Sequence, residues 1–287
     1  LWTVPPNSQG YLSLAAAGIL QGNDLPAGED AAWAHLHIEA AKLAAYDRHH
    51  VLHEHADGQA LHEPRRLDAR RARIDPDAAV DLQASFGDGG TIYLCATDAN
   101  GMGVSLIQSN ASGFGCHVVV PGTGVFLHNR GIGFSLEPGH PAEYGPRRRP
   151  THTLSPALIT HPSGELRSVL GTMGGDAQPQ IVLQMMSRLL AGGLAPSDIL
   201  ARPRWVIESR SGSGFDTWRE VGDLAVIVEP DGEPWVEGLR ARGHTVECRK
   251  VNAGHAHLID IAPDGTHLGA AEPRISTAAA LTPVAAG

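Results

Sequence analysis

The chain has few cysteines and no long hydrophobic run, and each absence excludes a class of protein. Only Cys95, Cys116 and Cys248 occur among 287 residues, too few and too scattered for a disulfide framework or a zinc site. This usage favours a reducing compartment without identifying one. No run approaches the roughly 18 apolar residues that a membrane-spanning helix needs, so we expect no membrane partner.

Positive charge is also scarce. The chain carries 22 lysines and arginines against 31 aspartates and glutamates, a formal net charge of −9. Because nucleic acids and anionic membrane surfaces are themselves negative, this balance argues against both as main partners. The glycine run GTMGGD (171–176) is too short for a P-loop and lacks its lysine. We therefore expect no nucleotide and no other cofactor.

The sequence opens on LWTVPPNSQGYLSLAAAGIL (1–20). It has neither an initiator methionine nor a charged segment leading to a signal cleavage site. We interpret it as the interior of a longer protein and expect an upstream portion. With 42% hydrophobic residues, the chain has enough apolar side chains for one sizeable core, or at most two modest ones.

Hydrophobic periodicity predicts helices up to residue 90 and a strand-rich part beyond it. Apolar residues recur at helical spacing from Trp33 to Ala44, and a charged helix is predicted to break at Pro76. Residues 91–109 form two β-branched-rich runs joined by Asn100-Gly101, which predicts a hairpin. Residues 137–150 hold four prolines and are expected to be an irregular lid or linker. A further helix is predicted over 178–192, and the whole pattern indicates an α+β layered sandwich.

The junction of the two parts carries the most specific chemistry. Thr91 follows a GDGG run and starts the first predicted strand. If the Gly90–Thr91 bond were cut, Thr91 would own both a hydroxyl nucleophile and a free α-amine to serve as its base. An unperturbed α-amine has a pKa of about 8, near the value that a general base needs at neutral pH. The alternative is a buried strand threonine with no chemistry.

Together, the order and spacing of several motifs resemble the γ-glutamyltransferase family of N-terminal-nucleophile hydrolases, from about Pro5 to Arg274. The matching strings are PPNSQG, TIYLCATDANGMGVSLIQS, FGCHVVVPGTGVFLHNRG, RRPTHTLSPALI, LGTMGGD, ARPRW, LRARGHTV and GAAEPR. The resemblance implies a four-layer αββα sandwich and a precursor that cleaves itself between Gly90 and Thr91. Residues 1–90 would be the C-terminal part of the large subunit and 91–287 the small catalytic subunit. After cleavage the two would form a heterodimer and a single domain.

The resemblance also assigns catalytic roles. Thr91 matches the nucleophile, and Ser109 matches a hydroxyl residue that hydrogen-bonds it. Gly174 and Gly175 match the glycine pair whose backbone N–H groups form the oxyanion hole, where glycine allows the main chain to approach the acyl oxygen closely. The alternatives are an ordinary strand serine at position 109 and a simple turn before the helix at Gln178.

The substrate pocket departs from the family pattern. Family positions that bind a γ-glutamyl group fall on Gly133, Ala111, His152 and Thr153, so a countercharge and several hydrogen bonds are missing. The opening Thr-Thr-His is here Thr-Ile-Tyr, and the carboxylate-binding arginine of the family belongs to the upstream part. A γ-glutamyl ammonium in such a pocket would lack its partner, which is costly.

The expected substrate-binding residues are therefore Asn129, Arg130, His152 and Thr153. Arg130 and His152 suit an anionic acyl group, such as a short dicarboxylic monoamide or a cephalosporin side chain. The predicted function is a γ-glutamyltransferase-family amidohydrolase or acyltransferase that acts on a small-molecule amide and is not specific for glutathione. The alternative is a truncated, non-catalytic relative that serves as a binding module or is inert.

Two charged stretches remain outside this scheme. Residues 49–55 contain four histidines, with His62 beyond them, and imidazoles at such spacing can meet on one helix face to bind a metal. No HExxH string is present and the stretch is predicted at a surface helix end, so we expect no metal site. Residues 147–149 are three arginines, interpreted as solvated charge or as an anion clamp over the active site.

Overall fold

The computed structural model describes residues 1–82, 91–209, 224–250 and 254–282. Before residue 83 the chain is mainly helical, as predicted. A short strand, β1 (Trp2–Thr3), is followed by helices α1 (Tyr11–Leu20), α2 (Ala31–Ala45), α3 (Arg48–Val51) and α4 (Pro64–Arg71). The predicted charged helix thus ends at Arg71, ahead of Pro76.

Beyond residue 90 the chain is rich in strands, and helices separate groups of consecutive strands. The strands are β2 (Ile92–Thr97), β3 (Gly103–Gln108), β4 (Ala157–Thr160), β5 (Leu166–Thr172), β6 (Trp205–Ser209), β7 (Leu224–Val228), β8 (Val246–Cys248), β9 (Ala256–Ile261) and β10 (His267–Ala270). The helices are α5 (Gln178–Leu190), α6 (Pro196–Ala201) and α7 (Val236–Ala241). Residues 137–150 are fully described and form turns without a helix or named strand, as predicted.

Three sheets organise these strands. The largest is antiparallel with the order β1-β4-β5-β9-β10, the second is the predicted hairpin β2-β3, and the third has the order β6-β7-β8. The hairpin packs across β5 and β9. The contact is close at Gly171 of β5, where an added Cβ would lie 2.4 Å from the Tyr93 ring. Helices α1, α2 and α5 share the main apolar core with Leu170 of β5 and Leu258 of β9.

The layers therefore stack as helices, five-stranded sheet and hairpin sheet, the helix–sheet–sheet order of an αββα sandwich. The α+β prediction is confirmed. The outer face of the hairpin is exposed and apolar, with Ile92 at 64% and Leu106 at 44% exposure. Among the described residues, no helix has both the length and the apolar character to cross a bilayer.

Candidate active site

The hairpin register brings Thr91 and Ser109 together. Ile92 pairs with Gln108, so the residues just outside this pair, Thr91 and Ser109, lie side by side at the open end of the hairpin. The Thr91 hydroxyl donates a hydrogen bond to Ser109 Oγ over 3.1 Å. Ser109 Oγ also accepts the backbone N–H of Ala111 at 3.0 Å, which fixes its orientation. Gly90, the other residue of the predicted cleavage bond, lies outside the described residues.

Thr91 opens into a cavity of about 540 Å³. Tyr93, Met173, His255 and His257 also line it, and residues from Ile275 to Leu281 border it on one side. The rings of Tyr93 and His257 are stacked, with centroids 6.0 Å apart. Met173 directly precedes the paired glycines, so the cavity that Thr91 lines extends to the residue before the loop on which the oxyanion hole was predicted.

The loop at Gly174 and Gly175 needs glycine for its conformation. Both residues have positive φ, +128° and +55°, values that side chains rarely tolerate. A Cβ on Gly174 would also approach Gly254 Cα to 3.3 Å. The two residues lead into a 3₁₀ turn, Gly175–Ala177, at the start of α5. The backbone of this loop therefore requires glycine at both positions.

A buried polar network from the N-terminal part holds this loop in place. Arg48 Nη1 lies 2.8 Å from Asp176 Oδ1, and both side chains are 3% exposed. Arg48 also donates to Gln9 Oε1 at 2.8 Å, while Gln9 Nε2 donates to the carbonyl of Gly175 at 3.0 Å. Sequence reasoning missed Arg48 and Asp176. The signals available were the PPNSQG motif and the acidic residue directly after the glycine pair.

Arg130 and His152 lie close to this network. Burial lowers the pKa of Arg130 to about 10, and the neighbouring Asp176 carboxylate opposes that shift. Burial, followed by the positive charges of Arg130 and Arg149, lowers the pKa of His152 to about 4, so its imidazole is neutral at pH 7. His152 Nδ1 accepts the backbone N–H of Leu154 at 3.3 Å. The proton of the neutral ring therefore sits on Nε2, which makes His152 a donor.

The other two predicted binding residues, Asn129 and Thr153, differ in the hydrogen bonds that their side chains make. The Asn129 side chain accepts from the Ser112 N–H at 2.9 Å and donates to the carbonyls of Ser112 and Gly115, so it closes the 112–115 loop. Its backbone N–H binds the Asn110 carbonyl, next to Ser109. Thr153 Oγ1 is buried and has no hydrogen-bond partner within the described ranges. Neither residue is among those that line the Thr91 cavity.

The structure explains two departures from the family pattern. A Cβ at Gly133 would lie 2.3 Å from the Thr151 carbonyl oxygen, so the loop leaves no room for an acidic side chain there. Ala111 adopts φ +77° and is buried, with its N–H turned to Ser109. Position 133 thus supplies no charged side chain, and the backbone itself occupies the space that one would take.

Two groups among the described residues place histidine and glutamate ligand atoms within 4.8 Å of one another, the spacing that could hold a metal. The first is His49, Glu137 and His140, and it includes one of the histidines of the predicted stretch. His140 Nδ1 accepts the Ala142 N–H at 3.0 Å, so its neutral ring carries the proton on Nε2 and offers no free lone pair there.

The second group is His35, Glu39 and His244. In it the Lys42 ammonium lies 2.8 Å from the Glu39 carboxylate and repels a cation. Neither geometry supports a metal ion.

The arginine run at residues 147–149 contacts an acidic side chain of the N-terminal part. Arg148 Nε and the Arg149 N–H both donate to the Glu54 carboxylate, at 3.0 and 3.1 Å.

Comparisons with known proteins show which family the chain belongs to. The family model described as Gamma-glutamyltranspeptidase matches residues 1–282. The chain is 34% identical to the oxamate amidohydrolase proenzyme of Klebsiella pneumoniae, over 98% of this chain and 53% of that protein. It is 32% identical to the glutathione hydrolase-like YwrD proenzyme of Bacillus subtilis, over 96% of this chain and 52% of that protein.

A solved structure shows the same likeness. The cephalosporin acylase of Bacillus halodurans superposes with a TM-score of 0.82 at 32% identity, over 99% of this chain and 51% of that one. The chain thus spans about half the length of these relatives. The predicted family and the predicted class of fold are both confirmed. The chain belongs to the gamma-glutamyltranspeptidase family, whose members are N-terminal-nucleophile hydrolases.

Proposed function

We propose that this chain is the nucleophile-bearing part of an amide hydrolase that cleaves itself before Thr91. The observation that carries the proposal is Thr91 itself: its hydroxyl is bound to Ser109 at 3.1 Å, and the residue lines the same cavity as Met173, which directly precedes the glycine pair. An activated hydroxyl and rigid N–H donors beside one cavity are the two requirements of acyl transfer.

Self-cleavage would begin with attack of Thr91 Oγ1 on the carbonyl carbon of Gly90. The Gly90–Thr91 amide is exchanged for an ester, and the released nitrogen takes up the hydroxyl proton to become a free α-amine. Water then hydrolyses the ester, giving residue 90 a carboxylate and restoring the Thr91 hydroxyl. During the first attack, Ser109 would orient the Thr91 oxygen, because its Oγ accepts the hydrogen bond from the Thr91 hydroxyl.

Turnover would use the same hydroxyl on an external amide. The α-amine of Thr91 accepts the hydroxyl proton, Oγ1 attacks the amide carbon, and the proton passes to the departing amine. The N–H groups of Gly174 and Gly175 would stabilise the oxyanion; one such donor contributes about 3–4 kcal/mol to the transition state. Water completes hydrolysis of the acyl-enzyme, and a second amine in its place would give acyl transfer.

The proposed acyl group is short and carries a carboxylate. Arg130 supplies a buried positive charge, His152 an Nε2–H donor and Thr153 a buried hydroxyl. The closed backbone at Gly133 disfavours the ammonium of a γ-glutamyl group. A dicarboxylic monoamide such as oxamate fits this charge pattern, and the 34% identical relative is named for that substrate.

Intact-mass analysis with three proteins tests the nucleophile. The wild type should yield two polypeptides, one with threonine at its N-terminus, and Thr91→Ser should still cleave because it keeps a hydroxyl. Thr91→Ala should stay uncut and inactive. A wild type that remains one chain and hydrolyses neither oxamate, glutaryl amides nor γ-glutamyl-p-nitroanilide would instead support the inert or binding-module alternative.

Arg130→Met tests the substrate class. A hydrogen bond to a charged group contributes about 1.5–3 kcal/mol, so kcat/KM for oxamate should fall roughly 10- to 100-fold. Activity on an uncharged amide of similar size should change little, which makes that substrate the matched control. Equal losses on both amides would contradict a carboxylate-binding role.

A further inference from the structure

The ARPRW and GAAEPR motifs meet in a group of buried charges that has no part in the proposed chemistry. Arg204 Nη1 lies 2.8 Å from Glu272 Oε2, and the two side chains are 1% and 0% exposed. Arg274 donates to Glu229 through Nε at 2.7 Å and to Glu272 through Nη1 at 2.8 Å. The Arg204 N–H donates to the Glu229 carboxylate at 2.8 Å. Two arginines and two glutamates thus form one connected set, which we call the four-charge network.

The Arg204–Glu272 pair remains ionised at neutral pH although it is buried. Burial lowers the pKa of Arg204 to about 10, and the charge of Glu272 opposes that shift. Burial alone would raise the pKa of Glu272, but the positive charge of Arg204 and the Ala256 N–H hold it below its ordinary value. A buried ion pair rarely adds net stability over apolar residues of the same volume. The backbone groups that the pair binds therefore explain it better than packing does.

The pair holds both ends of one short backbone segment, residues 254–256, which leads into β9. Arg204 Nη1 donates to the Gly254 carbonyl at 3.1 Å. Glu272 Oε2, the oxygen that binds Arg204, accepts the Ala256 N–H at 2.8 Å. The segment is thus bound by one donor and one acceptor that are themselves fixed to each other.

The other side of this segment contacts the predicted oxyanion loop. The Met173 N–H donates to the His255 carbonyl at 3.3 Å. A Cβ on Gly174 would lie 3.3 Å from Gly254 Cα, and a Cβ on Gly254 would lie 2.5 Å from the Met173 carbonyl oxygen. Because both residues are glycines, the two backbones approach each other with no side chain between them. A displacement of residues 254–256 would therefore move Gly174.

We propose that Arg204 and Glu272 are positioning residues for amide hydrolysis, because they hold the segment against which the Gly174 loop packs. This inference rests on the proposed function, in which the N–H groups of that loop stabilise the oxyanion. Neither Arg204 nor Glu272 is among the residues that line the Thr91 cavity, whereas Met173 and His255 both line it. The pair therefore acts on the reaction only through residues 254–256.

The double variant Arg204→Met/Glu272→Gln tests this role. It leaves no lone buried charge, because Arg274 keeps Glu229 as its partner. The kcat of the cleaved enzyme on oxamate should fall roughly ten- to a hundredfold, since a misplacement of about 1 Å has effects of that size. KM should change little, because the lost interaction acts in the transition state. A purely structural role would reduce the amount of folded enzyme and leave kcat per folded molecule unchanged.

Two single variants keep the test informative if the double variant fails to fold. Arg204→Lys retains a positive charge and a donor opposite Glu272, so it should keep most of the wild-type kcat. Gly254→Ala leaves the four-charge network intact and acts at the contact itself, where its Cβ would lie 2.4 Å from Thr172 Oγ1. It should lower kcat with little change in KM.

A matched control is Glu39→Gln/Lys42→Met. This ion pair in α2 is also buried and 2.8 Å long. Its further hydrogen bonds go to the backbone of Val80 and not to residues 254–256. The control should lower the unfolding temperature yet keep the wild-type kcat on oxamate.

Hydrogen exchange gives a second measurement that needs no turnover. In the uncleavable Thr91→Ala background, the Met173 amide should exchange its hydrogen faster when Arg204 and Glu272 are replaced, because its acceptor is the His255 carbonyl. The rate is compared with the other amides of β5, which separates a local displacement from a general loss of stability. The α2 control should leave this ratio unchanged.

The outcomes are distinct. A lower kcat with KM kept, faster Met173 exchange and a control with wild-type kcat support the positioning role. Wild-type kcat in the Arg204/Glu272 variant or in Gly254→Ala, or an equal fall of kcat in the control, overturns it and leaves the proposed function intact. A wild-type chain that neither cleaves itself nor hydrolyses an amide refutes the proposed function, and the positioning role with it.

Discussion

Replacing Arg48 by methionine should both destabilise the protein and disorder the loop of the proposed oxyanion donors, Gly174 and Gly175. The Arg48–Asp176 pair is 2.8 Å long with both side chains 3% exposed. Removing one member of a buried pair typically costs about 3–5 kcal/mol, because the remaining charge stays desolvated. For a chain of this size that corresponds to a fall of roughly 10 °C in unfolding temperature. Asp176→Asn should act in the same direction.

The double variant Arg48→Met/Asp176→Asn separates stability from catalysis. With both charges gone, most of the lost free energy of unfolding should return, as in other buried pairs replaced together. The Gln9 amide, which binds both Arg48 and the Gly175 carbonyl, would still lack its arginine partner. The N–H donors of Gly174 and Gly175 should then be less well placed, and kcat should stay roughly tenfold or more below the wild type.

Thermal unfolding of all four proteins, followed by circular dichroism, gives the coupling free energy, and steady-state kinetics on oxamate gives kcat. Two results would refute the reasoning. One is a single-variant loss below about 1 kcal/mol, typical of an exposed pair. The other is a double variant with full kcat, which would show that the pair stabilises the fold without placing the donors.

Two further predictions concern the core. Gly171→Ala would place a Cβ 2.4 Å from the Tyr93 ring, so it should lower the free energy of unfolding by about 1–3 kcal/mol and shift Tyr93 in the cavity. Urea unfolding measures the first effect and the near-ultraviolet circular dichroism signal the second. An unchanged urea midpoint would contradict the close packing of Gly171 against Tyr93. Burial lowers the pKa of His37 to about 4, whereas in the unfolded chain the pKa is near 6.5. As the pH falls, the unfolded chain therefore takes up the proton first, and the folded state loses stability between pH 6.5 and pH 4. The loss from His37 should be about 3 kcal/mol at pH 4, and urea midpoints of His37→Gln should fall less steeply over that interval.

The pairing of Thr91 with Ser109 was predictable because its geometry is local. An Asn100-Gly101 turn sets the hairpin register, and that register alone places Thr91 beside Ser109. The same holds for α5, whose apolar face repeats over Gln178–Leu190. Such elements depend on neighbours within about 20 residues, so a single sequence contains the information.

The residues that hold the site were not predictable in this way. Arg48 directly precedes the histidine-rich stretch, which was predicted at a surface helix end, yet its guanidinium is buried against Asp176, 128 residues later. Hydropathy assigns an arginine to the surface, and no local period reports a partner so distant. Asn129 shows the converse, since a polar residue beside the site uses its side chain to close a loop.

The distribution of these contacts implies that both sides of the Gly90–Thr91 bond build the active site. The chemistry lies after residue 90, but the loops that carry it are held by residues before it. Ser8 Oγ donates to the Leu154 carbonyl at 2.5 Å, and the backbone of Gln9 pairs with the His152 carbonyl at 2.9 Å. Separating the two parts would expose these polar groups and withdraw Arg48 from Asp176. If the chain cleaves itself as proposed, the cut enzyme should stay active only while its two parts remain bound, and activity should be lost together with their association rather than with the cut itself.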